Sequence, residues 1–372
     1  MELVHSKYLA IKEESIKGRY VVNEQLLPFL EKKKQIFVVE TAGKSVQGRP
    51  IKLITLGTGA LKILMWSQMH GNESTTTKSV LDLINFLDSS SDQAKQILTN
   101  CTIKIIPMLN PDGAAAYTRV NANEIDLNRD AQERTQPESV VLRDIFDEFS
   151  PDYCFNLHDQ RTIFNVGATA QPATVSFLAP AFNEERNLSK SRVESMQLIV
   201  AMNSTLQNII AGRVGRYDDA FNANCVGDAF QMLEVPTILF EAGHSPKDYE
   251  REQTRHYIFQ ALLTGLTTIV EGKIGLYPEE RYFEIPENGK SFYDVLIRNA
   301  NILNETLEKG DAIGMLYKEV LTRNEIDFKV TVEKTGNLDQ YFGHASFDCS
   351  VAADLEKLRQ QPFYNLLTDN FE

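Results

Sequence analysis

Four short, nearly continuous apolar runs set the tightest limit on what this chain can fold into: KILMWSQ (62–68), TIKIIPML (102–109), YCFNLHD (153–159) and PTILFEAG (236–243). Runs of this length that carry almost no polar alternation are central strands covered on both faces, because a half-exposed strand would show a period of two. Between them lie longer segments with helical spacing, clearest at 74–88, 137–149, 185–211 and 247–271. Strands alternating with helices predict an α/β architecture, a mixed central β-sheet flanked by helices. Ahead of the first run, IFVVET and IKLITLG flank the turn-rich AGKSVQGRP, which predicts a hairpin over 36–57.

The pattern changes near residue 275. From there Pro and Gly breaks in GLYPEERYFEIPENGKS separate YDVLIRNANIL, GMLYKEVL and FKVTVEK, which read as strands of a smaller module. With 372 residues the chain exceeds what one hydrophobic core usually holds. The expectation is a catalytic domain over 1–275 and a small β-rich C-terminal domain over 276–372 that narrows access to the site.

Charge and motifs prune the function classes. The chain carries 38 Lys and Arg against 51 Asp and Glu, and the net charge of −13 repels phosphate backbones and anionic membranes at long range. Neither nucleic acid nor membrane is an expected partner. Absence of a membrane-length apolar run and of an apolar leader in MELVHSKYLAIKEESIKGRY points to a cytoplasmic protein. The four cysteines form no C-x-x-C pair, and Cys225 reads as a packed thiol rather than a nucleophile. GKS at 43–45 and GTGALK at 57–62 each lack a glycine that a phosphate loop or dinucleotide fingerprint requires, and neither G-x-S-x-G nor H-E-x-x-H occurs.

The strongest local signal is MHGNES at 69–74, directly after an apolar strand. On a first helical turn His70 and Glu73, three residues apart, would project to one side and could grip one zinc ion. On its own an H-x-x-E pair is common, and a surface or N-capping pair has the same spacing. His158 supplies a third candidate ligand, since it closes an apolar strand whose carboxyl edge would face a site above the sheet. Only His70, His158 and His244 of the six histidines close apolar strands. A His-Glu-His set leaves one zinc position open for water, as a hydrolytic site requires.

NPDG at 110–113 followed by TRVNANEIDLNRD at 118–130 resembles the M14, carboxypeptidase A-like, zinc carboxypeptidases. The order of an H-x-x-E pair, this block, a strand-borne histidine and a later core-strand glutamate is also similar, over roughly 18–275. The resemblance implies one Zn2+ held by His70, Glu73 and His158, with Glu241 as general base. It implies that Arg119 polarises the scissile carbonyl, that Asn128 and Arg129 bind the substrate's terminal carboxylate, and that Tyr217 is a positional candidate for a substrate-facing tyrosine. Guanidinium chemistry suits both arginine roles, a bidentate carboxylate fork and an oxyanion partner. Glu241 in a buried strand needs a compensating partner, and a structural salt bridge is the competing explanation. Asp159 either orients a ligand or caps a helix.

Departures also matter. HDQRTIF replaces the family's usual continuation after the second histidine, which leaves the substrate subsites open. The expected function is a metallopeptidase, a zinc carboxypeptidase cleaving a peptide bond next to a free carboxylate. The alternative is an N-acyl amino acid amidohydrolase of the aspartoacylase and succinylglutamate desuccinylase type, which shares an H-G-N-E motif and a C-terminal β module. A reading of another class is an inactive module that binds carboxylated ligands.

Overall fold

A computed structural model describes residues 5–367. In chain order it runs α1 (His5–Leu9), α2 (Asn23–Lys33), β1 (Val38–Lys44), β2 (Pro50–Leu56), β3 (Leu61–Ser67), α3 (Thr75–Leu87), α4 (Asp92–Asn100) and β4 (Cys101–Ile106). It continues through α5 (Pro111–Ala116), α6 (Pro137–Phe149), β5 (Tyr153–Asp159), β6 (Asn165–Val166), β7 (Val175–Leu178), α7 (Lys190–Gln207), β8 (Val214–Arg216), α8 (Val226–Met232), β9 (Thr237–Ala242) and α9 (Glu252–Val270). The remainder is β10 (Asn288–Gly289), β11 (Phe292–Arg298), β12 (Ala312–Thr322), β13 (Glu325–Gly336), β14 (Phe342–Asp348) and α10 (Ala352–Arg359).

The four apolar runs become β3, β4, β5 and β9, neighbours at the centre of a mixed sheet ordered β1-β2-β4-β3-β5-β9-β7-β8. Their near-continuous apolar character follows from the cover on both faces. Ile63 and Met65 of β3 pack into a large cluster with residues of α3, α7 and α9. Leu64 and Trp66, pointing the other way, pack with Leu142 and Phe146 of α6 and Phe230 of α8. β4, β3, β5 and β9 run parallel, so their carboxyl ends share one edge. In open α/β sheets that edge is where loops can build a site.

The expected hairpin forms as β1 and β2, antiparallel and joined to β4. The helical spacing at 74–88, 137–149, 185–211 and 247–271 does not signal α4, the short α5 that starts at the proline of NPDG, α8 or α10.

Residues after α9 build a separate sheet ordered β13-β12-β11-β14. Its β12–β13 hairpin carries 11 and 12 residues per strand, and one face packs with α10 through Ile313, Met315 and Leu358. This sheet docks onto the segment 162–166: the Phe292 N–H donates to the Ile163 carbonyl at 3.1 Å, a His344 ring nitrogen meets the Thr162 carbonyl at 2.8 Å, and β10 pairs with β6.

Candidate active site

The H-x-x-E pair does not lie on a helical first turn as the spacing predicts. Residues 69–74 form a turn between β3 and α3, closed by the Glu73 N–H donating to the His70 carbonyl at 3.1 Å. Gly71 explains the difference, because a Cβ there would meet the Gly113 carbonyl carbon at 1.9 Å. Two backbones therefore touch, and only glycine permits it. The NPDG block is the other half of this contact: Asn110 accepts from the Gly113 N–H at 2.8 Å and donates to the Met69 carbonyl at 3.2 Å. The same arrangement ties Asn72 to Thr118, one residue before Arg119.

His158 ends β5, and the sheet brings it to this turn. Nδ1 of His158 lies 3.1 Å from Nδ1 of His70 and 3.0 Å from Glu73 Oε2, while His70 Nδ1 lies 2.8 Å from Glu73 Oε1. Both imidazoles are 2% exposed and Glu73 is 9% exposed. Four-coordinate zinc holds nitrogen and oxygen ligands at about 2.0–2.2 Å, which sets neighbouring ligand atoms about 3.3 Å apart. The three converging atoms fit that geometry. Among the described residues this is the one group of three or more His, Cys, Asp or Glu able to hold a metal ion.

Surrounding groups orient these ligands. His70 Nε2 faces Asp126 Oδ1 at 3.1 Å, which leaves Nδ1 free to act as an acceptor. The sequence signals Asp126 only through the DLN turn, where its side chain also accepts from the Asn128 N–H at 2.9 Å. Glu73 Oε2 accepts the Asp159 N–H at 3.1 Å. The Asp159 carboxylate caps α3, accepting the N–H groups of Thr75 and Thr76 at 2.9 and 3.2 Å. Its place next to His158 thus serves the helix that follows Glu73. Burial works against a charged Glu73, yet the two imidazoles override it and hold the carboxyl far below its ordinary value. Burial likewise opposes charge on His70, but Glu73 and Asp126 raise its pKa; His158 is lowered by burial.

Glu241 stands beside this cluster on β9. It is 9% exposed and its Oε2 has no hydrogen-bond partner. None of the ion pairs among the described residues involves it, so no salt bridge accounts for its burial. Burial, with Glu73 and Asp159 nearby, raises its carboxyl well above the ordinary range. A lone buried carboxylate of this kind is costly unless the site uses it.

The remaining candidates line the same pocket, of about 350 Å³. Arg119 donates to Asp126 at 3.0 Å and to Glu73 at 3.3 Å. Arg129 is exposed and donates to the Asn128 carbonyl at 2.7 Å and to Cys225 Sγ at 3.1 Å. Asn128 Oδ1 accepts the Val226 N–H at 2.9 Å, fixing the start of α8. Tyr217 reaches the pocket from the end of β8 with its ring 5.3 Å from Phe164, and burial raises its hydroxyl pKa. Burial also pushes the Cys225 thiol up to about 11, as befits a packed sulfhydryl. His244 is not drawn in; its ring lies 4.2 Å from that of His344, tilted by 48°.

The zinc carboxypeptidase family profile matches residues 24–176, a span that contains the His-Glu-His group, Arg119, Asn128 and Arg129. Over this span the chain is similar to the M14 zinc carboxypeptidases. "Probable carboxypeptidase 2" of Trichophyton verrucosum is 30% identical over 290 residues, covering 76% of this chain and 51% of that protein. The chain thus spans about half the length, or less, of the curated relatives it matches first. Among solved structures, a metallo-carboxypeptidase from Burkholderia cenocepacia superposes with a TM-score of 0.55 at 19% identity, covering 67% of this chain and 69% of that one. Carboxypeptidase A from Helicoverpa armigera gives 0.51 at 15% identity, over 71% and 78%. At these identities the superpositions establish the shared fold. Among the described residues no helix is long and apolar enough to cross a membrane.

Proposed function

We propose that this chain is a zinc-dependent carboxypeptidase that hydrolyses a peptide bond next to a free C-terminal carboxylate. The observation that carries the reading is the convergence of His70, Glu73 and His158 beside a partnerless Glu241 in a pocket lined by Arg119, Arg129 and Arg161. His70 Nδ1, Glu73 and His158 Nδ1 would hold one Zn2+, which when bound supplies Lewis acidity and lowers the pKa of water. Glu241 Oε2 takes the proton of the attacking water and returns it to the leaving amine. Burial raises its pKa, which favours the proton it holds between the two steps. Arg119, anchored by Asp126 and Glu73, presents its guanidinium to the oxygen that becomes negative during attack. Arg129, with the exposed fork, binds the terminal carboxylate, and Asn128 holds the loop that carries it. Tyr217 borders the substrate.

Residues 276–372 are proposed as a second domain that walls the entrance. That placement also favours a second reading, an N-acyl amino acid amidohydrolase, because the β12–β13 hairpin lines a cavity beside Glu73 and Asp159. The deciding assay compares the zinc-loaded chain on peptides with free and amidated C-termini, alongside N-acetyl- and N-succinyl-amino acids. Cleavage of free-carboxylate peptides alone supports the carboxypeptidase; turnover restricted to N-acyl amino acids supports the second reading; cleavage of neither class contradicts both.

A further inference from the structure

The segment HDQRTIF, which departs from the family pattern, does two things in the fold. Thr162 and Ile163 are the docking points of the C-terminal sheet. Arg161, the residue before them, is exposed and lines both the metal-site pocket and a second cavity of about 430 Å³. The two cavities share Glu73, Asp159, Gln160 and Arg161, so they adjoin at the reacting centre. The far wall of the second cavity comes from the hairpin, with Leu316, Tyr317, Lys318 and Phe328.

Most charges around this second cavity are already committed. Arg19 pairs with Glu319 at 2.9 Å, and the Tyr117 hydroxyl donates to the same carboxylate. Arg251 donates to the Ala242 and Gln160 carbonyls at 2.8 and 2.9 Å. Asp159 holds the start of α3, and Glu73 belongs to the His-Glu-His group. Three charged side chains of the lining stay without an ion pair or hydrogen bond among the described residues: Arg161, Lys318 and Glu333. The cavity lining as a whole balances four cations against four carboxylates, so the pull on an anion is local to Arg161 and Lys318, the two cations left uncommitted. A guanidinium at its mouth can take a carboxylate through two parallel N–H donors.

We propose that the second cavity is an acyl-side subsite, in which Arg161, assisted by Lys318, binds a carboxylate on the residue or acyl group that precedes the scissile bond. The inference rests on the carboxypeptidase reading and narrows its substrate class to short peptides or N-acyl amino acids with an acidic acyl side. Arg129 and Arg161 then grip the substrate at two carboxylates, one on each side of the metal-site pocket.

The test measures binding and turnover separately. Dissociation constants of N-acetyl-Glu-X and N-acetyl-Gln-X, with X leucine or lysine, are measured by calorimetry on the zinc-loaded Glu241→Gln chain, and turnover is measured on the parent chain. The Glu peptide should bind roughly tenfold more tightly than the Gln peptide, as one charge-assisted contact predicts. Adding Arg161→Ala should bring that ratio close to one, with Arg161→Lys keeping part of it and Lys318→Ala reducing it. Equal binding of the two peptides, or a ratio that Arg161→Ala does not move, overturns the subsite. Retained discrimination without turnover of either peptide overturns the hydrolase reading and upholds the subsite, whereas turnover of both without discrimination overturns the subsite alone.

Discussion

His158 and Glu241 are direct partners in the parallel ladder between β5 and β9. Residues in register on adjacent strands point their side chains to the same face, so the ligand histidine and the candidate base are set side by side by the sheet itself. Their neighbours fix which face this is: Leu157 and Phe240 point into the large helix-covered cluster, and His158 and Glu241 to the opposite side. Sites built on strands hold their geometry better than sites on loops. The account therefore predicts that substitutions at these two residues alter chemistry without disturbing the fold.

For the metal, purified chain should hold one zinc ion per molecule, read by elemental analysis. His158→Ala should remove most of it, because two remaining protein ligands hold zinc poorly. Asp126→Ala should weaken affinity about 10–100-fold, the usual cost of losing the carboxylate that orients a ligand imidazole. Full occupancy in a chain lacking all three ligands would place the metal elsewhere.

The two arginines should separate kinetically. Contacts made equally in ground and transition states change KM, and contacts made only in the transition state change kcat. Arg129→Ala should chiefly raise KM and Arg119→Ala chiefly lower kcat. The opposite pattern in zinc-loaded variants would exchange their roles.

Asp228, at the pocket floor, gives a pH prediction. Burial raises its carboxyl from 3.8 to about 7, against the weak pull of the Asn222 N–H. The folded-state pKa lies above the unfolded one, so the fold favours the neutral acid. Its contribution to stability is complete below about pH 4 and is lost as pH rises through about 7. Asp228→Asn keeps the shape and removes the titration. The Tm of the variant should gain on that of the parent between these limits and run parallel above them, and parallel curves throughout would show that Asp228 does not titrate there.

How much of this was legible beforehand depends on the range of each contact. Cover on both sheet faces leaves a mark on every residue of β3 and β5, which is why those strands stand out in the sequence. β14 does not stand out: FGHASFD is partly exposed along its length and lacks that mark. His70 and Glu73 were visible as a pair, but their turn rather than helical setting depends on Gly71 meeting Gly113, a contact 42 positions apart that no local pattern encodes. Arg161 could be seen only as a departure in HDQRTIF, because its place between two cavities depends on a hairpin more than 150 residues later. Asp126 was hidden by its neighbours Asn128 and Arg129, although the imidazole it orients was identified.

Glu241→Gln tests the central claim most directly. The amide keeps size and burial but accepts no proton, so turnover of a free-carboxylate peptide should fall roughly 10²–10⁴-fold, the range for general acid–base catalysis. Zinc content and Tm should stay near those of the parent, since Glu241 pairs with no cation among the described residues. The decisive measurement is turnover per folded, zinc-loaded molecule of this variant, with Tm recorded on the same sample. A large loss of turnover at unchanged Tm and zinc content is the predicted result, and a destabilised variant that remains fully active per folded molecule would contradict the account.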